Sequence, residues 1–318
     1  MNDKLLEIRN LKVTFPGQFQ CVCAVDDISF DMKKGEIVAL VGESGSGKSV
    51  TVKSIMGLLQ QAKIQGEIIF EGQNLLLMKE KELSKLRGNR ISMVFQEPMS
   101  ALNPIVKIGV QLEEILKIHH YSDKIPYSER IRKTLALMNI ANPEAIMEYY
   151  PFELSGGLCQ RIVIAMAVIC QPDLIIADEP TTALDVTTQA EILCLLKESA
   201  KKMGSSVLII THDLGVVAEC ADRVVVMYGG KLMEMAQVLE FFKHSKHPYS
   251  KGLLLSRPMN FFGRYTVIPG NVIRNIDGVT GCPFAERCKN VQDVCKINFP
   301  KETQIDKDHK VWCWNPES

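Results

Sequence analysis

The chain has 318 residues, with 37 basic and 37 acidic side chains, so its formal net charge is zero. That balance removes the general electrostatic case for a nucleic-acid binder, which carries a basic surplus. At 46% hydrophobic and 23% charged residues it has the mix of a soluble globular protein, no apolar run approaches the ~18 residues of a membrane-spanning helix, and the start, Met1-Asn-Asp-Lys-Leu5, lacks the layout of a secretory signal.

Residues 4–41 alternate in the manner of strands and end in Glu36-Ile-Val-Ala-Leu-Val41, an apolar run fit for a buried strand. Gly42-Glu-Ser-Gly-Ser-Gly-Lys-Ser49 follows and leads into 49–59, whose apolar positions suit a helix. The pattern G-x-x-x-x-G-K-S/T between a strand and a helix is a phosphate-binding loop. Gly42, Gly45 and Gly47, with Ser44 and Ser46 between them, let successive N–H groups turn inward around phosphate oxygens at the helix N-terminus. Lys48 is then placed to reach the β- and γ-phosphates, and the Ser49 hydroxyl to ligate Mg²⁺.

Another strand is expected at 66–70. Across 105–150 the apolar positions Ile108, Leu112, Ile115 and Leu116, then Ile131, Leu135 and Met138, fall at helical spacing and predict a mostly helical insert. Strand candidates at 173–177, 206–210 and 223–227 alternate with helices at 156–170 and 187–203. Such alternation argues for a parallel sheet covered on both faces. Beyond Gly229 the pattern decays. Pro248, Pro258, Pro269, Pro283 and Pro300 break up what reads as a small irregular appendage.

Leu174-Ile-Ile-Ala-Asp-Glu179 is an apolar strand that ends in two carboxylates. Asp178 is placed to hold Mg²⁺, usually through water, which leaves Glu179 to polarise an attacking water as general base. Leu154-Ser-Gly-Gly157, followed by Gln160-Arg161, puts Ser155 and the bare Gly156 and Gly157 at a helix start. Alone this reads equally as an ordinary N-cap or as an anion site. Its position after the phosphate loop and one helix before Asp178 and Glu179 decides for the second.

The three motifs in this order resemble the ATP-binding subunits of ATP-binding-cassette (ABC) transporters, over residues 5 to about 240. The resemblance implies an α/β P-loop NTPase fold with a RecA-like core, an antiparallel β subdomain and a helical subdomain at about 97–160, within a nucleotide-binding domain of 1–235. It implies that Ser155, Gly156 and Gly157 cap the ATP bound to a partner subunit. Gln96, in Val94-Phe-Gln-Glu-Pro98, matches the glutamine loop that senses Mg²⁺ and the γ-phosphate and links to membrane subunits. Ala183-Leu-Asp185 matches the loop that crosses the dimer interface. His212 matches the switch histidine that contacts the γ-phosphate, and Phe15 the ring that stacks on adenine, although Phe19 is close by.

The tail, 236–318, resembles the C-terminal extension of oligopeptide/dipeptide (and nickel) permease ATPases in Lys246-His-Pro-Tyr-Ser-Lys-Gly-Leu-Leu254 and Gly281-Cys-Pro-Phe-Ala-Glu-Arg-Cys288. Without the resemblance, His-Pro-Tyr is explained by a proline-led helix start with a packed tyrosine. Four of the ten cysteines, Cys282, Cys288, Cys295 and Cys313, crowd this end, and the only tryptophans, Trp312 and Trp314, flank the last. Four thiolates can hold zinc or an iron–sulfur cluster. Their spacing lacks the C-x2-C pairs usual for zinc and differs from common ferredoxin spacings, so the chemistry leaves the metal open. The resemblance favours a 4Fe–4S cluster, with zinc as the alternative and buried free thiols as the reading without metal.

Cys159 stands where the family typically has a basic residue, Phe152 where it often has histidine, and Ile273 where the extension usually has proline. Cys21, Cys23, Cys170, Cys194 and Cys220 read as packing residues. The function implied is an ATPase subunit on the cytoplasmic face of a bacterial cell membrane, energising import of di- or oligopeptides. Its implied partners are a second, different ATPase subunit, two transmembrane permease subunits and, indirectly, an extracytoplasmic binding protein, with no nucleic acid. The same engine could import nickel, a metal chelate or glutathione. A soluble non-transport ABC ATPase is the rival class, and it predicts long insertions or tandem cassettes that this sequence lacks.

Overall fold

The computed structural model describes residues 3–17, 20–121, 125–180, 186–256, 268–270 and 280–317. Phe19, Pro258, Ile273 and the Ala183–Asp185 loop lie outside the described residues. The chain divides into two compact units, one of Met1–Asp3, Lys33–Ile37 and Met78–Ile210, the other of Lys4–Met32, Val38–Leu77 and Thr211–Ser318.

In the first unit the strands Ile91–Val94, Leu174–Asp178 and Ser206–Thr211 run parallel, with Ile91 opposite Leu174 and Leu174 opposite Ser206. Every residue of the three is buried. This is why they read as unbroken apolar runs rather than as alternation. The insert is helical as its spacing predicts, with helices Ile108–Ile118, Tyr127–Leu137, Pro143–Met147 and Gly156–Val168. Ile108, Leu112, Leu116, Ile131, Leu135 and Met138 are all buried. A helix over Val186–Met203 completes the unit.

The second unit holds an antiparallel sheet in the order Val22–Lys33, Lys4–Phe15, Lys63–Phe70, Gln73–Asn74. It also carries the wholly buried strand Ile37–Val41, which pairs in parallel with Arg223–Tyr228, Val38 lying opposite Arg223. The following helix is Lys48–Ile55, shorter than expected, because Met56 caps it and Gly57 turns the chain with φ of 61°.

The tail is more regular than the sequence predicts. Lys231–Gln237 adds antiparallel to Arg223–Tyr228 and itself pairs with His309–Val311, which forms a hairpin with Thr303–Asp306. Helices Val238–His244 and Pro248–Leu255 lie between. No unbroken apolar run marks this strand, because Glu234, fully buried, interrupts it. That carboxylate accepts hydrogen bonds from the N–H groups of Lys246 (2.6 Å) and His247 (3.0 Å) and pairs with His309 Nε2 at 2.7 Å. Burial alone would raise its pKa; the hydrogen bonds from His309, His247 and Lys246 more than offset this, and the net shift is downward.

A lowered carboxylate contributes stability above its unfolded value, near ~4.3, and that contribution is lost as the pH falls through the folded value. Acid should therefore loosen the C-terminal hairpin only once the pH has fallen below the ordinary carboxylate range. Glu234→Met should release it already at neutral pH, since each buried donor left unpaired costs about 1–3 kcal/mol. Both tryptophans report on this: the Trp312 N–H donates to the Met233 carbonyl at 2.9 Å. A red shift of tryptophan emission with a lowered melting temperature is expected. An unchanged melting curve in Glu234→Met would show the network to be dispensable.

Among the described residues no helix is long and apolar enough to cross a membrane.

Candidate functional site

The phosphate loop lies in the second unit, between the buried strand Ile37–Val41 and the helix Lys48–Ile55. Its glycines are demanded by the backbone. A Cβ on Gly42 (φ 152°) would lie 2.1 Å from the Met227 carbonyl oxygen, and one on Gly47 (φ 103°) 2.5 Å from that of Ala24. Gly47 caps the helix without a side-chain acceptor, and no acidic residue occupies the first turn. The positive end of the helix thus meets no carboxylate of its own first turn. Ser46 and Lys48 are buried, Ser49 is half-buried, and Ser44 and Gly45 face solvent. Lys48 Nζ donates to the carbonyls of Gly42 (2.7 Å) and Glu43 (2.9 Å) and to Ser46 Oγ (3.3 Å). The loop thus fixes the Lys48 ammonium against its own backbone.

His212 belongs to the same unit and is exposed just after the strand Ser206–Thr211. Its neighbours are fixed: the Asp213 N–H donates to Thr211 Oγ1 at 3.0 Å, and the Asp213 carboxylate caps the next helix by accepting from the Gly215 N–H at 2.7 Å. Phe15 is half-buried at the end of the strand Lys4–Phe15.

In the first unit, Asp178 is the buried last residue of the strand Leu174–Asp178. Glu179 follows in the left-handed region, with φ of 47°, and its N–H donates to the Ile210 carbonyl at 2.9 Å. A bulky residue held there before proline costs on the order of 1–3 kcal/mol, and strain of this kind collects at functional sites. Gln96 Nε2 donates to Glu179 Oε2 at 3.3 Å. Two residues separated by 83 positions, both singled out from the sequence, are brought together.

Ser155 caps the helix Gly156–Val168, its Oγ accepting from the Leu158 N–H at 3.4 Å. Ser155 and Gly156 are exposed, and a Cβ on Gly156 would meet nothing within 4 Å. Packing among the described residues thus gives no reason for that glycine. Cys159 turns away from this exposed face: it is buried, with Sγ 3.5 Å from the Pro151 carbonyl oxygen, and burial pushes its thiol pKa up. Of the cysteines read as packing residues, Cys23, Cys170 and Cys220 are buried, whereas Cys21 and Cys194 are exposed and take no part in a core.

The four tail cysteines line one small cavity of about 10 Å³, together with His247, Phe284 and Trp314. Cys282 and Cys288 flank the turn Ala285–Arg287, Cys295 sits in the helix Asp293–Ile297, and the Cys282 N–H donates to the Cys295 carbonyl at 2.7 Å. Burial pushes the thiol of Cys282 up to about 12, that of Cys313 to about 11, and that of Cys288 in the same direction. The donor set suits a thiophilic metal. Among the described residues, however, no group of three or more His, Cys, Asp or Glu is disposed to hold a metal ion, so the cysteines converge without forming a coordination shell.

Three contacts escaped the sequence reading. The Glu43 N–H donates to Tyr249 Oη at 2.8 Å, and Arg287 grips the Glu43 carboxylate with both terminal nitrogens, at 2.6 and 3.1 Å. The tail thereby holds the second residue of the phosphate loop. Tyr249 fulfils the expected proline-led helix start, since Pro248 opens its helix and the ring is buried. Its hydroxyl partner is 206 residues away and leaves no local signal.

A glycine-rich turn opens a helix in one unit, and two carboxylates close a buried strand in the other. Residues 25–182 match the ABC transporter family, and residues 233–295 match the oligopeptide/dipeptide transporter C-terminal region. The dipeptide transport ATP-binding protein DppD of Bacillus subtilis is 48% identical, over 98% of this chain and 95% of its own. The probable peptide ABC transporter ATP-binding protein y4tR of Sinorhizobium fredii is 45% identical over the same shares. Among solved structures, the dimeric post-hydrolysis state of the ATP-binding cassette MJ0796 bound to ADP and Pi has a TM-score of 0.65 and 28% identity, over 73% of this chain and 98% of that one. The chain belongs to the ATP-binding subunits of ABC transporters, in the branch that carries the oligopeptide/dipeptide transporter C-terminal region. It is an ATP hydrolase coupled to transport, and ATP with Mg²⁺ is the general requirement of that family.

Proposed function

We propose that this chain hydrolyses ATP to energise import of di- or oligopeptides through a bacterial cell membrane, lying peripherally on the cytoplasmic face. The observation that carries the reading is the similarity to DppD over nearly the whole of both chains, tail included. Import of nickel, a metal chelate or glutathione by the same engine is the second reading, because the loop and strand-end chemistry is indifferent to cargo.

In this mechanism Lys48 and the N–H groups of Gly42–Ser49 take the phosphates. Ser49, Asp178 and Gln96 would hold Mg²⁺, whose charge would offset that of the phosphates. Glu179 accepts a proton from the attacking water, and its hydrogen bond from Gln96 orients it. His212 contacts the γ-phosphate, and Phe15 stacks on adenine. Ser155, Gly156 and Gly157, with Asp185, reach the nucleotide of a second, different ATPase subunit. The exposure of Ser155, and the absence of a packing reason for Gly156 among the described residues, support that role. Phe95, Met99, Ile105, Val110 and Phe152 are exposed apolar side chains around the glutamine loop and helical insert. They support docking there of two permease subunits, which an extracytoplasmic binding protein would supply with cargo.

We divide the chain into a nucleotide-binding domain, 1–235, and an extension, 236–318. In the extension Cys282, Cys288, Cys295 and Cys313 line one small cavity, and although they form no coordination shell as they stand, that convergence supports a 4Fe–4S cluster, or zinc as the alternative, as a structural staple. Anaerobic purification of the intact complex tests both levels. Two ATPase subunits with two membrane subunits are expected, and a broad absorbance band near ~400 nm favours iron–sulfur over colourless d¹⁰ zinc. Isolation with nucleic acid or ribosomes instead would contradict the transport assignment. A colourless preparation containing zinc would overturn the cluster.

A further inference from the structure

Glu43 is an anomaly for a loop built to receive phosphate. Its backbone carbonyl already touches Lys48 Nζ at 2.9 Å, so its carboxylate is carried on the same short stretch that must accept a polyanion. A free carboxylate on that stretch repels phosphate, since charges within the ~8 Å screening length of physiological salt are little screened. The structure disposes of that charge through the tail. Arg287, with only 6% of its side chain exposed, forms a bidentate pair with Glu43.

Every nitrogen of the guanidinium is engaged. NH1 also donates to Tyr228 Oη at 3.0 Å, Nε to the Pro269 carbonyl at 2.8 Å and NH2 to the Ile268 carbonyl at 3.1 Å. The fork is thus fixed from behind, and it lies over the rings of Tyr228 and Phe284, 5.6 and 5.9 Å from their centres. Arg287 immediately precedes Cys288, in the turn that Cys282 and Cys288 bracket.

We propose that Arg287 is a positioning residue for nucleotide binding: it neutralises Glu43 and turns it aside, so that the tail makes the phosphate loop competent for ATP. The inference rests on the reading that Gly42–Ser49 binds ATP. Occupancy of the phosphate loop and packing of the Cys282–Cys288 turn are then linked through one ion pair, and such linkage is reciprocal.

The test measures MgATP affinity of the intact complex as wild type, Arg287→Met, Arg287→Lys and the double variant Arg287→Met/Glu43→Gln. Arg287→Met should weaken MgATP about tenfold, and Arg287→Lys should weaken it less, because it keeps the charge and loses the fork. The double variant should return to within about threefold of wild type, since the charge that needed neutralising is gone. A loss of affinity from a collapsed tail would not be rescued by Glu43→Gln, so a double variant as weak as Arg287→Met overturns the proposal. Wild-type affinity in Arg287→Met overturns it as well. Failure of the wild-type complex to bind MgATP would strike the ATP reading itself. Should Arg287→Met not fold, Arg287→Lys with and without Glu43→Gln supplies the same comparison.

Discussion

Glu179→Gln should lower ATP turnover by about 10²–10⁴-fold while leaving MgATP affinity nearly unchanged. The range is what a positioned general base contributes. The substitution isolates that role because glutamine keeps the shape of glutamate and can still take the Gln96 amide donor, now 3.3 Å from the carboxylate. It also inherits the same constrained backbone, with φ of 47° and the N–H held by Ile210. What disappears is the capacity to take a proton from water. Steady-state phosphate release together with retained, unhydrolysed ATP checks this. Full turnover in the variant would remove Glu179 from the chemistry.

Lys48→Ala should act one step earlier, on binding. Its ammonium is buried and directed at the carbonyls of Gly42 and Glu43 and at Ser46 Oγ. Phosphate oxygens are stronger partners for it than neutral carbonyls, and charge-assisted hydrogen bonds contribute about 1.5–3 kcal/mol each. Loss of even one predicts MgATP affinity lower by roughly 10–100-fold, at 1.4 kcal/mol per decade. Titration with a fluorescent ATP analogue would measure it, and unchanged affinity would count against the phosphate loop.

The legibility of these residues differs for physical reasons. The glycine-rich loop was plain in the sequence because its backbone tolerates so little: Gly42 and Gly47 have no room for a Cβ. The parallel strands were plain because burial on both faces leaves unbroken apolar runs, and the insert because Ile108, Leu112 and Leu116 mark one buried helical face. Asp178 and Glu179 stood out only because their strand ends where apolar residues give way to charge.

The tail was harder to read. Glu234 in mid-strand hid a regular element, since a buried carboxylate is stable only through partners 12, 13 and 75 residues away. The grip of Arg287 on Glu43 spans 244 residues, and a lone arginine between two cysteines carries no periodicity that could betray it. Cys21 and Cys194, read as packing residues, are exposed. Cysteine is so often buried that composition alone misplaces the exceptions. Cys159 shows the reverse: it stands where the family typically has a basic residue, yet the helix turns it inward.

The most direct measurement is ATP-dependent peptide uptake by the whole transporter in proteoliposomes, with ATP supplied on the side of this subunit. The wild-type complex should accumulate a radiolabelled dipeptide only when MgATP is present, and the complex carrying Glu179→Gln should bind MgATP without accumulating it. Uptake that proceeds equally without ATP, or undiminished with Glu179→Gln, would contradict the account.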